Sequence, residues 1–304
     1  MVSESSFVWP DFYVVGAQKC GTTSLWSYLR KHPQVFLPKM MEPSYFVTAP
    51  QPPEFKGHYC AGDLETYQRL YTDANGYKAV GDRSVGYLWD RDVAKRIHAV
   101  APQARIIIIL RDPVERAYSH YHMSVAHEGD SLSFWEALHR DNSEWVRSNC
   151  WWKQHHMYIE LGLYYEQVRR YLDTFGKDQV GFYFLDDLES DPLKVMSAIC
   201  GQIGVDPTLL NTKEIRRARN QGLVPRSRWL YDVARFTVSR KVRDKILPRS
   251  VDEWMRQNRL LFKPYKPQWT TEEGRYLQSI YEPDLCRLEE LLGRKLPQLR
   301  KTWI

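Results

Sequence analysis

Apolar positions along this chain alternate between the two-residue period of strands and the longer period of helices. Phe12 to Val15 is a short β-rich apolar run, and from Thr22 the spacing predicts a helix to Leu29 with Leu25, Tyr28 and Leu29 on one face. Residues 32–46 follow, where Pro33, Pro38 and Pro43 forbid a long helix and predict a loop. Residues 48–76 are polar, with one helical patch near Leu64 to Leu70. The next run, 77–88, reads as a strand ending at Asp82, Arg83 and Ser84. A helix over Asp90 to Val100 leads into Ala104 to Leu110, whose unbroken apolar run is that of a parallel strand covered on both faces. An amphipathic helix then feeds a strand at Val180 to Leu185, a further helix starts after Pro192, and Thr270 to Leu292 reads as an amphipathic helix pair. Strands separated by helical patterns predict one α/β domain over residues 1–304, a central parallel sheet with helices on both faces.

Composition narrows the class. The chain has 304 residues, 43% hydrophobic and 26% charged, as an ordinary globular protein does. The five cysteines form no CxxC pair and are odd in number, so neither a zinc site nor a full disulfide framework is indicated and a reducing compartment is expected. The first residues have no basic start and no apolar core of a signal peptide, and no run reaches the length of a membrane span. A cytoplasmic protein without a membrane span is the expectation. The net charge of +6 suits an anionic ligand.

Candidate chemistry starts in DFYVVGAQKCGTTSLWSYL, residues 11–29. Gly16 and Gly21 bracket a turn between strand and helix, which directs backbone N–H groups and a helix N-terminus at an anion. The Gly16-x-x-x-x-Gly21 spacing is that of a P-loop, but Thr22 stands where a kinase has Lys, and the lysine lies inside the loop at Lys19. GAQKCGTTSL resembles the 5′-phosphosulfate loop of sulfotransferases that use 3′-phosphoadenosine 5′-phosphosulfate (PAPS). The resemblance implies that Gly16, Gln18, Lys19, Cys20, Gly21, Thr22, Thr23 and Ser24 line the cofactor. Read without it, the stretch is a Gly-rich turn with a surface lysine.

LRDPVERAYSHY, residues 110–121, resembles the 3′-phosphate motif of the same family, which carries over to Arg111 and Ser119. A buried strand that ends in Arg111 delivers it to the edge where α/β proteins bind ligands. The plain alternative is an ion pair of Arg111 with Asp112 or Glu115. EPSYF, residues 42–46, resembles the Glu-x-x-x-Phe stretch of heparan-sulfate-type sulfotransferases, in which the Glu is the proposed catalytic base; Glu42 among apolar neighbours is expected to have a raised pKa. Arg83 stands where those enzymes often carry Lys, and Arg does not readily give up a proton near neutral pH. Lys19 is therefore the better leaving-group acid, and Lys19, Glu42 and Arg83 form the candidate catalytic set.

Two segments remain. Residues 130–160 are rich in aromatics and read either as packing or as an acceptor lid, with Tyr45, Trp151, Trp152 and His155 as candidate acceptor contacts. Residues 213–250 are basic, and Arg226 and Arg228 occupy the place where sulfotransferases fold a C-terminal segment over the 3′-phosphate. The resemblance implies PAPS as donor, 3′-phosphoadenosine 5′-phosphate (PAP) as product, no metal, and a small-molecule, saccharide or carrier-bound acyl acceptor. No nucleic-acid module is visible, and the sequence specifies no oligomeric state. A P-loop kinase and a non-catalytic nucleotide or polyanion binder are the competing readings.

Overall fold

Ile106, Ile107, Ile108, Ile109 and Leu110 are all fully buried, and the sheet is built outward from them. In the computed structural model this strand is the fourth of five in one parallel sheet. The structure describes residues 7, 9–48, 60–128, 132–141, 156–217, 223–225, 262–264 and 268–303. Strands β1 (Phe12–Gly16), β2 (Val35–Phe36), β3 (Ala79–Arg83), β4 (Arg105–Leu110) and β5 (Val180–Phe184) lie in the order β2-β3-β1-β4-β5. Tyr13 is paired with Asp82 on one side and with Ile106 on the other, and Leu110 with Phe184. Leaving β1 the chain turns toward β3 and β2, whereas leaving β4 it turns toward β5. The crevice between the C-terminal ends of β1 and β4 is therefore the topological switch point, where open α/β sheets place their ligands.

Helices close the sheet. Helix α1 (Thr22–Leu29) buries Leu25, Tyr28 and Leu29, the face the spacing predicts. It is followed by α2 (Leu64–Arg69), α3 (Val93–Val100), α4 (Pro113–Glu128), α5 (Phe134–Asp141), α6 (Tyr164–Phe175), α7 (Leu185–Ser190), α8 (Pro192–Gln202), α9 (Thr212–Arg217) and α10 (Thr271–Leu292). Two expectations are corrected. The loop at 32–46 contains the short edge strand β2, which β3 recruits through the Val35–Ala79 and Phe36–Val80 pairs. The expected C-terminal helix pair is one helix, α10, running through Pro283. An internal proline costs about 3 kcal/mol. Burial of Leu277, Tyr281, Leu285 and Leu288 on one stripe, with a Thr270–Glu273 capping box at the start, offsets that cost.

The chain divides into two compact units, residues 1–218 with 269–304, and residues 219–268. Within the second, Leu223–Pro225 (β6) pairs antiparallel with Phe262–Pro264 (β7). Among the described residues no helix is long and apolar enough to cross a membrane.

Candidate active site

The turn after β1 owes its shape to three residues. Gly16 has φ 155°, and a Cβ there would meet Leu88 at 2.7 Å; Gly21 has φ 86° and caps α1, and a Cβ there would meet Leu185 at 2.5 Å. Lys19 itself adopts a left-handed φ of 69°, uncommon for a side chain of this size. Among the described residues no carboxylate is ion-paired with Lys19. Burial, then the charges of Arg111 and Arg116, lowers its pKa from 10.5 to about 8. Cys20 is fully buried, its Sγ 3.7 Å from the Tyr164 hydroxyl, which donates to the Arg111 carbonyl at 2.9 Å. Gln18 and Ser24 are half-buried in the same turn, and the Gln18 carbonyl accepts from Cys20 Sγ at 3.7 Å.

Arg111 follows β4 directly. Its Nε donates to Glu115 at 2.9 Å and its Nη1 to the Lys19 carbonyl at 3.4 Å. The ion pair with Glu115 and the approach to the Lys19 loop thus coexist. Ser119 is half-buried one turn beyond Glu115 on α4. Between them on α4 lies Arg116, fully buried, donating to the Tyr158 carbonyl and with Nη1 3.4 Å from His120 Nδ1. Sequence reasoning passed over Arg116, although it stands inside the quoted motif. It also passed over Tyr164, which no local pattern marks.

Arg83 reaches from the end of β3 to the start of α1. It donates through Nη1 to Glu42 at 2.7 Å, and through Nη2 to Thr22 Oγ1 at 2.6 Å and Thr23 Oγ1 at 3.2 Å. Its side chain is 4% exposed and that of Glu42 36%. The apolar setting expected for Glu42 is therefore corrected: its nearest charged neighbour is a buried guanidinium, because β3 runs beside β1 with Arg83 paired to Val14, from where its side chain reaches Thr22 and Thr23. The Arg83 Nε–H is buried without a partner among the described residues, as is that of Arg116.

Tyr45 stacks on Tyr67 with ring centroids 4.7 Å apart and lies edge-on to Phe46 at 5.0 Å, as part of an aromatic floor under the Glu42 loop. In the aromatic segment, Tyr158 is fully buried and Trp135 packs on Tyr276 of α10, so its described rings serve packing. Trp151, Trp152, His155, Arg226 and Arg228 lie outside the described residues.

A parallel sheet that brings Lys19 and Arg111 together at its switch point is that of an α/β protein with basic groups gathered where such sheets place their ligands. Comparison with known proteins makes the class specific. The family model described as "Sulfotransferase domain" matches residues 9–289, and the chain belongs to that family of enzymes. A solved sulfotransferase from Alicyclobacillus acidocaldarius is 29% identical, superimposes with a TM-score of 0.73, and is covered over 99% of its length by 96% of this chain. The mouse bifunctional heparan sulfate N-deacetylase/N-sulfotransferase 4 is 28% identical over 65% of this chain, and the mouse heparan sulfate glucosamine 3-O-sulfotransferase 3A1 is 24% identical over 90%. The chain spans only 22% and 65% of the lengths of these two relatives.

Proposed function

We propose that this sulfotransferase moves a sulfuryl group from PAPS to an acceptor hydroxyl or amine by in-line displacement. The observation that carries the reading is the Arg83 guanidinium, which ties the Glu42 carboxylate to Thr22 at the start of the same helix that the Lys19 loop feeds. A base and a cationic anion cradle thereby share one rigid corner. The residues fit the donor: Lys19 has no carboxylate ion-pair partner among the described residues, and beside Thr22 the buried Arg83 Nε–H has no hydrogen-bond acceptor among them. When bound, PAPS supplies an activated sulfuryl group on a phosphate leaving group. Glu42 takes the acceptor proton, while Lys19 and the loop N–H groups neutralise charge that grows on the leaving oxygen. Arg83 holds the Glu42 carboxylate and adds positive charge without giving up a proton. Arg111 and Ser119 bind the 3′-phosphate. The acceptor is a small metabolite, a saccharide or a carrier-bound acyl chain.

The test is differential stabilisation, followed by transfer of labelled sulfuryl from PAPS to an acceptor panel. PAP without Mg²⁺ is expected to raise the Tm far more than AMP or ATP does. Equal stabilisation by AMP would remove the 3′-phosphate from the reading, and a requirement for Mg²⁺ with ATP would favour a kinase.

A pH effect follows from Lys19. With its folded pKa lowered to about 8, part of the free protein carries neutral Lys19 near that pH. A neighbouring phosphate favours the ammonium and raises the pKa again, so binding takes up a proton. PAP affinity is therefore expected to weaken as pH rises above about 8, with a buffer-dependent calorimetric enthalpy that reports proton uptake. Pairwise equal enthalpies in buffers of different ionisation heat would place Lys19 away from the phosphate.

A further inference from the structure

Asp82 is fully buried between the sheet and α2, and the donor cradle does not use it. A carboxylate there is costly unless it is hydrogen-bonded. Asp82 is well supplied: Oδ1 accepts from Ser84 Oγ at 2.7 Å, and Oδ2 accepts from the hydroxyls of Tyr67 and Tyr87, both at 2.9 Å. Two of these hydroxyls also face outward. Ser84 Oγ accepts from the Ser44 amide at 2.9 Å, and the Tyr87 hydroxyl accepts from the Phe46 amide at 3.5 Å. Ser44 and Phe46 belong to the loop that begins at Glu42, and Ser44 holds a left-handed φ of 50° that needs such support.

We propose that Asp82 is a positioning residue, which fixes the Glu42 loop through Ser84 and Tyr87 while its neighbour Arg83 fixes the Glu42 side chain. The proposal rests on the reading of Glu42 as base.

The polarity of the network explains why an acid stands here. An ionised carboxylate only accepts, so it draws the hydroxyl hydrogens of Ser84 and Tyr87 inward. Their lone pairs are then left facing the two loop amides. An amide side chain would present a donor and turn at least one relay around, and a protonated acid would present one that competes with the three hydroxyls. Consecutive strand residues point to opposite faces, so Asp82 and Arg83 grip the loop from the two sides of β3. The far end is held as well, by Thr48 donating to Asp90 at 2.8 Å and Arg96 donating to the Phe46 carbonyl at 2.7 Å.

The titratable groups around Asp82 among the described residues include Tyr13 on β1, Tyr67 on α2 and Tyr71 just after it, Tyr87 in the turn after β3, Tyr171 on α6, Glu42 in the loop and Arg83 beside it. Burial raises the Asp82 pKa to about 6 against the opposing pull of the three hydroxyls. Ionisation of Asp82 therefore costs stability as pH rises through about 6, while it is the ionised form that orders the relay. Loop order and fold stability respond to pH in opposite senses, which separates positioning from general support.

The experiment compares the parent, Asp82→Asn and Ser84→Ala by amide hydrogen exchange, by PAP titration and by sulfuryl transfer from PAPS to 4-nitrophenol as a surrogate acceptor. Exchange in a peptide covering 40–48 is expected to quicken about tenfold in both variants, with PAP affinity within about threefold of the parent and turnover down by about tenfold or more. In the parent the same peptide loses protection between pH 7.5 and 5.5, after correction for intrinsic rates, and in Asp82→Asn it does not. Parent-like protection of 40–48 in both variants overturns the proposal, and so does faster exchange spread evenly over the sheet. If Asp82→Asn does not fold, Ser84→Ala decides alone, since it removes one relay and leaves the buried charge in place. Full turnover in Glu42→Gln would sink the base reading but leave the exchange result standing.

Discussion

Glu42→Gln is expected to fold, to bind PAP near normally, and to transfer sulfuryl groups about 10²-fold or more slowly than the parent. Gln keeps the size of the side chain and can still accept a hydrogen bond from Arg83 Nη1, now 2.7 Å from the carboxylate. It cannot take the acceptor proton. The Glu42 side chain is 36% exposed but that of Arg83 only 4%, so Gln keeps the hydrogen bond to the buried guanidinium at some cost in stability, and a thermal melt beside the rates separates a folding effect from a rate effect. Initial rates with labelled PAPS, beside calorimetry with PAP, separate the two. The competitors for the role are histidines. His120 is fully buried against Arg116 and Tyr158, and His156 lies 3.1 Å from Arg140 Nη2. His122 is packed edge-on to Tyr118, and His155 is outside the described residues. Near-parental turnover in Glu42→Gln, together with a collapse in one of the corresponding His→Ala variants, would move the base to that histidine.

Arg111→Ala is expected to weaken PAP binding by about 2–4 kcal/mol, roughly 30- to 700-fold in Kd, while the protein stays folded. The guanidinium is 12% exposed and already lies against Glu115, so the variant removes a desolvated cation and leaves Glu115 facing the phosphate. Both changes act against an anion. The matching measurement is AMP binding, which should change far less if Arg111 serves the 3′-phosphate. Undiminished PAP affinity in a folded Arg111→Ala would reduce Arg111 to its ion pair with Glu115.

The sheet and the loops of the candidate anion site were legible in the sequence because both depend on short-range signals. A run of isoleucines has one stable placement, between two layers, and it carries Arg111 to the ligand edge. The glycines at 16 and 21 mark backbone shapes that a side chain would obstruct. Glu42 and Arg83 were legible as separate residues, but their 2.7 Å contact was not, since it depends on strand order. An apolar local sequence around Glu42 therefore suggested the wrong neighbour. Asp82 was invisible as a network centre because Tyr67, Ser84, Tyr87 and Ser44 meet only after α2 packs on the sheet. The edge strand β2 has two residues, too few for any period to show, and Pro283 is tolerated in α10 only because tertiary burial outweighs local preference.

The Tyr164 hydroxyl touches both halves of the cradle, 3.7 Å from Cys20 Sγ and 2.9 Å from the Arg111 carbonyl, while Arg111 Nη1 lies 3.4 Å from the Lys19 carbonyl. The Lys19 and Arg111 loops are thereby braced against each other, and on the proposed reading they act as a bivalent receptor with a preset span. A ligand carrying two anionic ends at that span binds its second end at high effective concentration, whereas two separate fragments each bear their own cost of immobilisation. Selectivity for a bisphosphorylated nucleotide over its monophosphates would then reside in the span between the loops as much as in any one contact.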